Sequence, residues 1–71
     1  MEEGYIVAAV EVDKALRFYT ARAGQQAVCE RELAQQGLQL LVWGRGQTEE
    51  DAMTQAMQQA ALVITLRSME E

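Results

Sequence analysis

The sequence predicts an α+β fold: a single small domain over residues 1–71, with a three-stranded sheet and two helices in the order ββαβα. Three observations predict it. "GYIVAAVEV" is apolar on alternate residues and nearly so on those between. "QQAVCERELAQQG" is a run of helix formers closed by a glycine. "TEEDAMTQAMQQAAL" opens on a capping residue and repeats its apolar positions at helical spacing.

The first element spans Tyr5–Val12. Ile6, Ala8, Val10 and Val12 form one row, and Tyr5, Val7, Ala9 and Glu11 the other. Both rows are apolar until Glu11, as expected of a strand buried on two faces. Asp13-Lys14 breaks the run. "ALRFYTARA" fits a strand or a helix by periodicity alone. Phe, Tyr and Thr in succession prefer strands, and a sheet of only two strands would be marginal. A hairpin of Tyr5–Val12 with Leu16–Ala21 is therefore expected.

Gly24 marks a break, and a helix of about three turns follows, ending at Gly37 in the C′ position. Ala27, Cys29, Leu33 and Ala34 give it a modest apolar side. "LQLLVW" is the third strand, with Leu38, Leu40 and Val42 on one face and Leu41 and Trp43 on the other. In the last helix Thr48 and Asp51 resemble a capping box. Glu49, Glu50 and Asp51 complement the helix dipole. Ala52, Met53, Ala56, Met57, Ala60, Ala61 and Ile64 form its apolar stripe. From Ala60 the pattern is apolar all round, so this end is either enclosed by the fold or packed on a partner. The helix is expected to reach about Arg67, and a fourth strand at Val63–Leu66 is the alternative.

Composition narrows the function. The 71 residues hold one cysteine and no histidine, so neither an intrachain disulfide nor an ordinary zinc set can form. A core this small usually needs support, and self-association is the support expected. The net charge is −5, with the six basic residues scattered, which disfavours a grip on nucleic acid. No basic leader precedes the first apolar run, and Ala60–Ile64 falls far short of the roughly 20 residues that span a bilayer. A soluble, cytoplasmic chain without membrane contact is expected.

"LVWGRGQTEED" has the look of a phosphate loop: strand, glycines, helix start. The spacing fits neither a dinucleotide fingerprint nor a P-loop. A phosphate at this helix start would also meet Glu49, Glu50 and Asp51. No nucleotide or other cofactor is expected, and the two glycines are read as a tight turn with positive φ. Cys29 has no neighbouring base to activate it. The pairs Glu30 with Glu32 and Glu49 with Glu50 do not face each other on a helix. Tyr5, Phe18 and Tyr19 are read as core.

"GRGQTEEDAMTQAMQQAAL" resembles the strand-to-helix step of HicB-type antitoxin domains, G-x-T-x-E-E-A. Gly46, Thr48 and Ala52 fit it, and one acidic residue is displaced. The match covers under a third of the chain, and that family's DNA-binding segment has no counterpart here. In size, acidity and lack of catalytic motifs the chain is also similar in type to phage-encoded inhibitors such as anti-CRISPR proteins, a likeness that implies no residues.

The function expected is that of a non-catalytic protein-interaction or regulatory module, of the phage-inhibitor kind, binding a protein partner or its own copy as a homodimer. Its candidate surface is Met57, Leu62, Val63 and Leu66 of the last helix, with Trp43 of the nearby strand. The alternatives are a small enzyme using Cys29 or a surface carboxylate, and a HicB-like antitoxin domain.

Overall fold

The computed structural model describes residues 3–70. Strand β1 is Tyr5–Val12 and β2 is Ala15–Arg22. A 3-10 turn over Ala23–Gln25 leads into helix α1, Gln26–Gln35. Strand β3 is Gln39–Gly46 and helix α2 is Glu49–Glu70. The sheet is antiparallel in the order β2-β1-β3, so the connection carrying α1 crosses β1.

The hairpin forms as expected. Tyr5 pairs with Arg22 and Val12 with Ala15, leaving Asp13 and Lys14 as a two-residue loop. Both have positive φ, 51° and 70°, as a type I′ turn requires. As the central strand, β1 is covered on both faces, and Ile6 through Val10 are buried.

Helix α1 ends in a Schellman motif. Gly37 N–H donates to the Ala34 carbonyl at 3.0 Å, and Leu38 N–H to the Leu33 carbonyl at 3.0 Å. Gly37 takes φ +74°, which its missing Cβ makes cheap. Leu38 and Leu33 then meet in one cluster with Ala8 and Val10. The apolar side of α1 is narrower than expected. Leu33 is buried and Cys29 half-buried, while Ala27 and Ala34 are exposed.

Strand β3 departs from the expected pattern at two points. Ala9 pairs with Val42 but Val10 with Leu40, so Leu41 is the extra residue of a β-bulge. The bulge turns Trp43 onto the same face as Leu38 and Leu40, where all three pack against the Ala8–Val10–Leu33 cluster. Strict alternation had placed Trp43 opposite them. In addition, Gly44 and Gly46 belong to the strand, which pairs them with Val7 and Tyr5. Neither has positive φ, so the expected glycine turn is not there.

Their role is close packing. Both face α2, which lies mainly over β3 and β1. A Cβ on Gly44 would come within 2.5 Å of the Ala52 carbonyl oxygen and 2.6 Å of Ala56 Cα. A Cβ on Gly46 would come within 2.5 Å of the Ala52 amide nitrogen. Ala52 and Ala56 are buried together with Val7, and Tyr5, Phe18 and Met53 pack against them.

Helix α2 starts as the capping residues predict. Asp51 N–H donates to Thr48 Oγ1 at 3.1 Å, and Ala52 N–H to the Thr48 carbonyl at 3.0 Å. The helix then continues unbroken through Val63–Leu66 to Glu70, so those residues do not form a fourth strand. Near its end Arg67 lies 3.6 Å from Glu11 Oε2, an exposed ion pair at the far end of β1.

Candidate interaction surface

Small residues make the contact between α2 and the sheet. Only Ala52, Ala56 and Ala60 of this helix are buried. Because alanines rest on glycines, the helix axis comes close and its larger side chains are left outside. The apolar stripe expected from the sequence therefore divides. Its alanines at four-residue spacing go inward, whereas Met57 stays 54% exposed, Ile64 38%, Leu62 57%, Leu66 59% and Met69 77%. Val63 is half-buried. The all-round apolar end is thus not enclosed by the fold.

Helical geometry sorts these side chains. Met57 and Ile64 share a flank with Met53, which packs, as Tyr5 and Phe18 do, against the buried Val7, Ala52 and Ala56. Leu62, Leu66 and Met69 share the other flank with Gln55, whose Oε1 accepts from the Arg45 N–H of β3. Between the flanks Ala61 and Thr65 face outward. Thr65 Oγ1 donates back to the Ala61 carbonyl at 2.8 Å, so its hydroxyl proton is already used within the helix.

Charge is absent from this surface. Glu49, Glu50 and Asp51 fill the first turn and the next charged residue is Arg67. From Ala52 through Leu66 there is none, the longest uncharged stretch of the chain. Exposed helices usually carry charge on the side facing water. The exposed side is polar but uncharged in its first half, at Thr54, Gln55, Gln58 and Gln59, and apolar in its second, at Leu62, Ile64, Leu66 and Met69. A charge-poor, exposed apolar patch with a polar margin is the composition of an interface.

Trp43, the remaining candidate, is not brought to this surface. It is half-buried on the opposite face of the sheet, with Leu40 and Val10. The aromatics are likewise divided. Tyr5 and Phe18 pack on the α2 side and Tyr19 on the α1 side, so they form no common stacking platform.

A cleft of about 350 Å³ between β2 and α1 is lined in part by Tyr19, Val28, Cys29 and Glu32. Burial pushes the Cys29 thiol above its ordinary pKa, and the Glu32 carboxylate pushes in the same direction. This is the reverse of what prepares a thiolate nucleophile. Among the described residues no three His, Cys, Asp or Glu side chains gather as a metal site. No helix of the described residues is long and apolar enough to cross a membrane.

No family model, curated protein or solved structure matches the chain. The residues that resemble the HicB step each have a local reason. Gly46 admits the helix, Thr48 caps it, and Ala52 is the first residue buried beneath it.

Proposed function

We propose that the chain is a non-catalytic protein-interaction module, a small regulator or inhibitor of another protein or assembly, whose working surface is the exposed face of α2 around Met57, Leu62 and Leu66. The observation that carries this reading is the uncharged stretch from Ala52 through Leu66, which keeps large apolar side chains in water on a chain of net charge −5. Such side chains add little to the fold that exposes them. Each becomes stabilising when a partner covers it, by at most about 1.5–3 kcal/mol. The raised thiol of Cys29 supports a non-catalytic role. A lone free cysteine fits a reducing, cytoplasmic setting.

The test compares wild type with Leu62→Glu/Leu66→Glu as bait in native lysate. Both positions are exposed, so the double variant is expected to keep the wild-type circular dichroism and melting curve. A specific partner retained by wild type and lost by the variant supports the reading. Identical retention by two equally folded baits would sink it.

A further inference from the structure

We infer that the partner seated on α2 is a second copy of this chain, with the two α2 helices packed antiparallel across a two-fold axis near Ala61 and Thr65. The inference rests on the reading of α2 as a docking surface and adds its occupant and geometry.

Charge selects the occupant. Two copies of net charge −5 repel wherever acidic surfaces meet. Helix α2 is where they can touch without opposing carboxylates, because Ala52 through Leu66 carries none. A strongly basic partner would gain nothing from so uncharged a face, whereas a copy of it matches its composition.

Charge also selects the direction. A parallel pair would set Glu49, Glu50 and Asp51 of both copies side by side. An antiparallel pair puts these acidic turns at opposite ends, each toward the partner's C-terminal turns. Arg67 of those turns lies on the sheet side, paired with Glu11, so the direction rests on keeping the two acidic turns apart. Antiparallel packing opposes the helix dipoles as well.

Shape and area fit the same arrangement. Ala61 and Thr65 are small and face outward, so two helix backbones can approach there. Thr65 brings no free hydroxyl proton into the contact, since Ala61 already accepts it. On either side stand Met57 with Ile64, and Leu62 with Leu66 and Met69, all exposed in one copy. A specific interface buries about 600 Å² per partner at the lower end of its range. That is little more than a tenth of the 5253 Å² surface of the chain.

Sedimentation equilibrium of the full chain, from low to high micromolar, reads the stoichiometry. A dimer is expected for wild type, weakened at least about tenfold in Leu62→Glu and again in Ala61→Arg, two exposed sites whose variants keep their helicity. Direction is read by oxidative trapping in a Cys29→Ala background. Ala61→Cys is expected to form a disulfide-linked dimer. Glu50→Cys is not, because antiparallel packing about an axis between Ala61 and Thr65 holds its two copies roughly 35–40 Å apart. A wild type monomeric throughout, or a dimer indifferent to both substitutions, overturns the inference. Efficient trapping through Glu50→Cys overturns the antiparallel geometry. If wild type is monomeric yet the Leu62→Glu/Leu66→Glu bait still loses a lysate partner, the docking surface stands and the second copy is the wrong occupant.

Discussion

Gly44 of β3 lies directly beneath Ala56 of α2, so close that a Cβ on the glycine would sit 2.6 Å from Ala56 Cα. The atoms it would meet are backbone, which cannot swing aside. This contact sets how near α2 lies to the sheet, and thereby which α2 side chains are left outside.

Gly44→Ala is therefore expected to destabilise the fold by about 1–3 kcal/mol, the range of overpacked cores. Urea unfolding measures it. Because the obstacle is helix backbone, trimming the opposing side chain with Ala56→Gly should not rescue the variant. A near-neutral Gly44→Ala would show that α2 does not ride on β3 as described.

Gly37 offers a contrast. Nothing lies within 4 Å of a Cβ built there, but its φ is +74°. Gly37→Ala should cost about 1–2 kcal/mol through backbone conformation alone. Gly37→Asn should cost less, since Asn tolerates the left-handed region. Thermal melts of the two variants check the order; equal losses would point to an unrecognised steric contact.

Cys29 should alkylate slowly. Its pKa is raised, first by burial and then by the Glu32 carboxylate, so less thiolate is present at neutral pH than in an unfolded chain. Iodoacetamide labelling should accelerate on unfolding, and modestly in Glu32→Gln. The linkage has one sign. The folded thiol ionises later than the unfolded one, so its contribution to stability is intact below the unfolded thiol pKa and declines as pH rises through it. Labelling faster in the folded chain than in the unfolded one would contradict this account and restore Cys29 as a nucleophile.

ATP and NAD should not bind at the start of α2. Thr48 Oγ1 already accepts the Asp51 N–H, and three carboxylates crowd the first turn. Isothermal titration is the appropriate measurement, because Trp43 faces the other side of the sheet and would report poorly on this turn. Saturable heat at micromolar ligand would refute the expectation.

Much of the fold was legible in the sequence because its signals are local. The double apolar row marks β1, Gly37 closes α1, and Thr48 with its acidic turn opens α2. The hairpin was harder, since "ALRFYTARA" satisfies both periods, and strand propensity with sheet completeness decided it. Two features could not be read. The bulge at Leu41 carries no Gly, Pro or Asn, so nothing announced that Trp43 would join Leu38 and Leu40. The glycines at 44 and 46 suggested a turn, because spacing within one segment does not say what packs against it. Their alternation, two residues apart and followed by Ala52 and Ala56 four apart, is the signal that could have marked a strand face meeting a helix face. The exposure of Leu62 and Leu66 follows from that contact and was posed by the sequence only as an alternative to enclosure.

The central claim, that the outer face of α2 is covered when the protein works, is tested most directly by methionine oxidation. Met57 and Met69 are well exposed on α2, while Met53 is half-buried against the sheet and serves as an internal reference. Peroxide oxidation, read by mass spectrometry, is compared between the dilute purified chain and the chain in concentrated native lysate. The account predicts that Met57 and Met69 oxidise readily when dilute and are protected in the lysate relative to Met53. Equal oxidation of Met57 and Met69 in both settings, with Met53 unchanged, would contradict it.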